Sequence, residues 1–339
     1  MKTQASILID KIVRESKATQ EELISLLSMN SRSELYAVAT SVKEKIYGKN
    51  IILRGIIEFS SFCSCECAYC GLYSGNTKLP RYRFTEDDIL NYAKEAYAAG
   101  YRSIILQSGE DFFYDADSIS RIIRRIKGLG DLVLTLSIGE RSHEEYAQWY
   151  KDGADRYLLK HETSDENLYN GLHPHSSFKK RMDCLWDLKS IGYQIGSGFM
   201  VGLPGQTLES LTRDILLLQE LSVDMAGIGI YIPHPDTPLA GSVSGSPDLA
   251  IACVALSRIL LKKVHLPSTT SIETESTKKY SSLSAGANVI MKKVEPYNYR
   301  KLYEIYPNPK IFDKSILEER IELEKFVALR GLKVERTIQ

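Results

Sequence analysis

The chain has no apolar run of 18 residues, no low-complexity tract and no short internal repeat. The first absence removes any expectation of a membrane-spanning helix. The other two leave an ordinary globular protein. Excess charge is missing as well: 43 Lys and Arg balance 43 Asp and Glu. Neither nucleic acid nor an anionic membrane is therefore expected as a partner. The opening MKTQASILIDKIVRES offers only a five-residue apolar patch before charges return. That is too short for a secretory leader. The expected location is cytoplasmic, where thiols stay reduced. Cysteine is scarce, with six in 339 residues. Four of them nevertheless crowd into CSCECAYC, Cys63 to Cys70, while Cys184 and Cys253 stand alone. In a reducing compartment such crowding points to metal or redox chemistry rather than a disulfide framework.

What is present is 43% hydrophobic and 25% charged, enough for a large core. Residues 1–48 read as three short helices, with Thr19-Gln-Glu-Glu and Ser31-Arg-Ser-Glu as capping-box starts. After Gly48 short apolar runs alternate with longer amphipathic ones. The runs fall at 51–59, 103–107, 132–137, 154–160, 194–201, 225–232, 265–270 and 287–291. Helices are expected near 85–99, 117–129, 142–152, 176–191, 207–221, 247–263, 274–284 and 313–330. Eight βα units predict an α/β fold, a (β/α)8 TIM-type barrel with an N-terminal helical extension. An open doubly wound sheet is the alternative, because the pattern cannot show closure. The expected division is a helical segment 1–48, a barrel 49–312, and a C-terminal helix and tail 313–339.

The unusual residues cluster where a barrel keeps its chemistry, after the C-terminal ends of strands. CSCECAYCG follows the first run, QSGED the second and SIGER the third. KHET ends the fourth, MVGLPGQT the fifth, PHPDTP the sixth and STT the seventh. Cys63, Cys67 and Cys70 are spaced C-x3-C-x2-C. Three thiolates on one loop can hold three irons of a [4Fe-4S] cluster and leave the fourth open. A zinc site would need a fourth ligand, and only Cys65 is near, in a cramped loop.

C-x3-C-x2-C with Tyr69 before the last cysteine, placed after a first barrel strand, resembles the radical S-adenosylmethionine (SAM) superfamily. That resemblance implies a [4Fe-4S] cluster on Cys63, Cys67 and Cys70, with SAM on the open iron. Cys65 lies outside the motif and reads as a loop residue. Within the superfamily, residues 54–76, 82–89, 105–111, 136–140, 153–163, 200–207, 227–240 and 286–291 resemble the HydE maturases of [FeFe]-hydrogenase, spanning roughly residues 3 to 310. Biotin synthase and methylornithine synthase are further relatives. The resemblance implies SAM-binding roles for Tyr69, Gln107, Ser108, Glu110, Ser137, Glu162, Arg181, Ile230 and Tyr231. In it Glu110 meets the SAM amino group, Glu162 the ribose, and Arg181 the carboxylate. A substrate cavity would be lined by Arg54, Arg156, Lys160, Thr269, Thr270 and Tyr303. Arg156 and Lys160 share one strand parity, so both are expected to face inward. An internal salt bridge to Glu58 is the competing reading for these cations. His161 is expected to face the helix layer, and His234 and Asp236 to shape a turn.

The implied activity is radical chemistry on a small-molecule or organometallic substrate, Fe(CO)2(CN) carried on cysteine. A reducing protein such as ferredoxin or flavodoxin, and other hydrogenase maturases, would be partners. A HydE-like paralogue acting on an amino-acid-derived or thioether molecule, and a non-catalytic iron–sulfur carrier, are the alternatives. Departures from the family fall at Lys160, where many members carry Arg, and in the seventh-strand region, where Ala285 replaces a cysteine. With no cysteine after Cys253, an accessory C-terminal cluster is not expected.

Overall fold

The computed structural model describes residues 3–275, 280–307 and 313–335. Three helices come first: α1 (Gln4–Glu15), α2 (Gln20–Leu27) and α3 (Ser33–Tyr47). Thr19 and Glu22 form the expected capping box on α2. The Ser31 cap does not form. α3 starts at Ser33 behind Arg32, whose guanidinium turns back to the Leu27 carbonyl.

Then β1 (Asn50–Ser60), α4 (Glu86–Ala98), β2 (Ser103–Ser108), α5 (Ala116–Lys127), β3 (Val133–Ser137), α6 (His143–Lys151) and β4 (Arg156–Leu158) follow. Two helices, α7 (Glu166–Leu172) and α8 (Phe178–Ile191), lead to β5 (Gln194–Val201), α9 (Leu208–Glu220), β6 (Met225–Ile230) and α10 (Pro247–Leu261). The chain ends with β7 (Pro267–Ser268), α11 (Thr270–Glu275), β8 (Val289–Lys293), α12 (Tyr297–Arg300), α13 (Ile316–Ala328) and β9 (Lys333–Val334). The strands pair in parallel in the order β6-β5-β4-β3-β2-β1-β8-β7, which is the expected TIM-type barrel. β9 adds to the start of β1 and was not expected.

Between β6 and β7 the barrel closes by a different means. Backbone bonds pair Ala226 and Asp224 with His265. Higher up, the hydroxyls take over: Thr269 donates to the Ile228 carbonyl at 2.9 Å, and Ser271 accepts from the Ile230 amide at 3.0 Å. β7 is short because Pro267 cannot donate to a ladder. The helix expected at 274–284 is replaced by α11 and a 3-10 turn at Ser281–Ala285, with 276–279 outside the described residues.

Strand parity fixes the interior. Ile51, Leu53, Ile57 and Phe59 pack into the core beneath the helices, so Arg54, Ile56 and Glu58 face the barrel axis. On the opposite wall Gly196, Gly198, Gly227 and Gly229 hold the inward positions of β5 and β6. A Cβ on Gly198 would lie 2.1 Å from the Gly227 carbonyl oxygen, so these strands approach as only glycine allows. The side chains of Leu158 and Met225 close in on Gly196 and that of Ser271 on Gly229, while Lys160 lies over Gly227. α10 is buried all round, between the sheet and α1–α3. No helix among the described residues is long and apolar enough to cross a membrane.

Candidate active site

The cysteine loop leaves the top of β1 and is built to hold its shape. Arg81 donates to the carbonyls of Ser61, Leu72, Tyr73 and Asn76, tying both ends of the loop together. Gly71 packs where a Cβ would sit 2.2 Å from the Glu304 carbonyl. The thiols of Cys63, Cys67 and Cys70 are free and half-buried. Cys63 Sγ accepts from the Glu110 amide at 3.3 Å. A hydrogen bond with Cys65, then burial, pushes the Cys63 thiol up, and burial pushes Cys70 up to about 12. Crowded thiols whose ionisation is this costly suit a cationic centre, which draws off their protons on binding.

Behind the loop, Cys67 and its neighbours lean on residues 172–176. The Ala68 amide donates to the Leu172 carbonyl at 2.9 Å. Tyr69 Oη meets His173 Nε2 at 2.9 Å, and His173 Nδ1 lies 2.8 Å from the Tyr169 carbonyl. Burial lowers His173 to about 4, so its ring is neutral. His175 Nδ1 accepts from the Glu66 amide at 3.1 Å, and its Nε2 stands 3.9 Å from Cys67 Sγ.

Across the mouth lies a carboxylate–guanidinium group. Glu110 Oε1 accepts from the Glu140 amide at 2.8 Å. Gly139 makes this possible, since a Cβ there would overlap the Glu110 side chain at 1.9 Å. Glu140 in turn binds Arg181 Nε at 2.8 Å, Lys180 Nζ at 3.1 Å and the Ser176 hydroxyl at 2.9 Å. Burial would push the Glu140 carboxyl up, but the Arg181 charge and these bonds hold it below its ordinary range. Arg181 Nη1 donates to the Lys160 carbonyl at 2.6 Å. Glu162 sits beside it with φ +61°, a left-handed conformation unusual for a carboxylate residue and often found at functional sites. Its amide and carbonyl bond Gly198 and Met200, which hold that conformation. Lys160 Nζ reaches Glu162 Oε2 at 2.8 Å. Tyr231, Met200, Leu203 and Leu172 form a small apolar cluster apart from the main core, with Tyr69 and Ala68 packed against it. The Ile230 amide is held by Ser271. Ser108 donates to the Gly109 carbonyl, and Ser137 is the register partner of Gln107.

Deeper, the structure splits the six cavity residues expected from the sequence between levels. Glu58, Gln107 and Ser137 are register partners and form one layer. There Gln107 donates to Tyr303 Oη at 3.5 Å, and Lys293 lies over the Tyr303 ring at 5.6 Å. Lys293 pairs with Glu58 at 2.6 Å. Burial raises the Glu58 carboxyl well above its ordinary range, which the Lys293 charge only partly offsets. The salt bridge considered for Glu58 therefore exists, with Lys293 in place of Arg156 or Lys160. Thr269 is spent on the β6–β7 seam, and Thr270 starts α11. Arg156 lies two inward positions below Lys160, where Gln194 Oε1 accepts from its Nε at 2.6 Å. Arg54 crosses to Met225 Sδ at 2.9 Å, and its Nε and Nη2 are buried without a partner. Burial and the Arg156 charge push it down to about 9. His161 faces outward to Ser197 and Asp214, and His234 turns back to the Asp236 amide.

A family model described as the radical SAM superfamily matches residues 57–218. The chain is 45% identical over 304 residues to the [FeFe] hydrogenase maturase subunit HydE of Thermotoga maritima, covering 88% of this chain and 87% of that one. The chain belongs to the radical SAM superfamily. A 3-methylornithine synthase of Methanosarcina acetivorans is 28% identical, over 83% of this chain and 81% of its own. In fold, the barrel matches the solved methylornithine synthase PylB with a TM-score of 0.84 at 24% identity, covering 97% of each chain. The maturase HydG matches at 0.82 with 20% identity, covering 98% of this chain and 76% of that one.

The protein is thus a radical SAM enzyme, and its family implies a [4Fe-4S] cluster and SAM. The donor set fits: three free thiols on one loop, a backbone amide aimed at one sulfur, and an acid–base-lined mouth beside them. Glu140, His173, His175 and Lys293 were not singled out from the sequence. Glu140 stood within the quoted SIGER, but its partner Arg181 is 41 residues away and invisible to any local pattern.

Proposed function

We propose that this enzyme is a HydE-type maturase that cleaves SAM and directs the resulting radical at a cysteine-borne Fe(CO)2(CN) substrate. Similarity to HydE across nearly the whole chain supports the class. The observation that carries the substrate reading is Arg54. Its buried guanidinium has two nitrogens without a partner, and the buried Thr135 hydroxyl also lacks one. A cation held this way needs an anion, and cyanide and carboxylate supply one.

In this reading Cys63, Cys67 and Cys70 hold the cluster and Cys65 does not. When bound, cluster and SAM together supply one-electron cleavage of SAM to methionine and a 5′-deoxyadenosyl radical. Glu110 receives the SAM ammonium, aided by Gln107, Ser108 and Ser137 around it. Glu162 receives the ribose, with one carboxylate oxygen already held by Lys160. Arg181 is fixed through Nε and Nη1, which leaves Nη2 for the SAM carboxylate. Tyr69, Ile230 and Tyr231 border the adenine, against the small apolar cluster. Arg156, Lys160, Thr269, Thr270 and Tyr303 face the substrate. Thr269 also ties the seam through its hydroxyl. A ferredoxin- or flavodoxin-like protein would supply the electron, and other hydrogenase maturases would receive the product.

The test is anaerobic: reconstitute the cluster, reduce it, add SAM, and quantify 5′-deoxyadenosine with and without the Fe(CO)2(CN)–cysteine species. A large substrate-dependent rise with an adenosylated sulfur product is expected. Slow cleavage indifferent to the complex would overturn the substrate assignment and favour a paralogue acting on a thioether or amino-acid-derived molecule. The altered seventh-strand region would then be the place to seek its substrate.

A further inference from the structure

The segment Leu172-His-Pro-His-Ser176 clamps the cysteine loop along residues 66–69 at successive points. Leu172 holds the Ala68 amide, His173 holds Tyr69, and His175 holds both the Glu66 amide and the sulfur of Cys67. Ser176 ties the far end of the clamp to Glu140.

The bonds to His175 fix its tautomer. A backbone amide can only donate, so Nδ1 accepts from Glu66 and carries no proton. A neutral imidazole has one N–H, which must then be on Nε2. That nitrogen faces Cys67 Sγ at 3.9 Å, within reach of a donor to sulfur. We infer that His175 is a positioning residue that donates Nε2–H to the Cys67 sulfur and thereby raises the reduction potential of the cluster. Reduction adds negative charge to the cluster and its sulfurs. An N–H dipole aimed at one sulfur stabilises the reduced form more than the oxidised one.

This rests on the assignment of Cys67 as a cluster ligand. The two are separated by measuring iron and sulfide content alongside the midpoint potential, by EPR-monitored titration, for wild type, His175→Phe, His175→Met and His175→Gln. Loss of the four-iron cluster in Cys67→Ala beside a loaded wild type supports the assignment, and a Cys67→Ala protein that loads as wild type does overturns it. With clusters loaded, the donor-free Phe and Met variants should fall by about tenfold in the one-electron equilibrium, roughly 59 mV. Gln keeps an N–H donor and should stay near wild type. Met covers the case in which Phe disturbs loading. Loaded Phe or Met variants with the wild-type potential would overturn the inference, and so would a Gln variant that falls as far as they do. A purely structural clamp would change loading and leave the potential of the loaded protein alone.

Discussion

Glu140 binds Arg181 within the protein, and both side chains are almost wholly buried. Removing one partner of such a pair leaves an uncompensated charge, which costs about 3–5 kcal/mol. Glu140→Ala should therefore lower the melting temperature sharply and weaken SAM binding, as read by calorimetry. The pH dependence has a definite sign. The folded Glu140 carboxyl sits below its ordinary value of 4.5. Its contribution is complete above that pH and is lost as pH falls through the lower folded value. Wild type should lose melting temperature in that acid window, while Glu140→Gln should start lower and change less. At the same scale, Cys65→Ala should retain the cluster, because the proposed ligand set leaves Cys65 out. Loss of iron in that variant would contradict the assignment. The three-cysteine spacing was legible in the sequence because it is a local motif, whereas Arg181 lies in none of the matching segments and came only from the family resemblance. The partners were not: Lys293 is 235 residues from Glu58, and only the barrel closure brings β8 beside β1.

Elements with strong periodicity appear where the sequence placed them, within two residues for α4, α5, α6, α8, α9, α10 and, at its C-terminal end, α13. Short elements do not. α7 has seven residues, too few for an amphipathic pattern, yet it carries the base of the clamp on the cysteine loop. β7 has two residues, one of them proline, so its closure of the barrel depends on hydroxyls that no strand pattern encodes. Ser271→Ala tests that closure. It leaves the buried Ile230 amide without an acceptor, at about 1–3 kcal/mol. Hydrogen exchange at Ile230 should accelerate far more than at Leu106 on the opposite wall. Equal protection at both amides would show that the seam closes by other means.

For the molecule as a whole, the eight-unit alternation pointed to a parallel βα fold, but neither the closure of the barrel nor the way its additions attach can be read from it. The proposed division sets 1–48 apart from the barrel, and the boundary near 312 lies at the edge of 308–312, outside the described residues. The helical extension packs so closely that it behaves as part of the barrel. Tyr36, Thr40 and Tyr47 on α3 each donate to a barrel carbonyl, and α10 has no polar face to offer solvent. Deleting residues 1–48 should give aggregated protein by light scattering. A monodisperse, folded 49–339 fragment would show that the extension is dispensable.

The most direct measurement is SAM cleavage itself, on reconstituted and reduced wild type beside Cys67→Ala. Wild type should release 5′-deoxyadenosine and methionine in equal amounts, and the variant should release neither. A loaded, reduced wild type that leaves SAM intact, or a Cys67→Ala protein that still cleaves it, would contradict the assignment of the site.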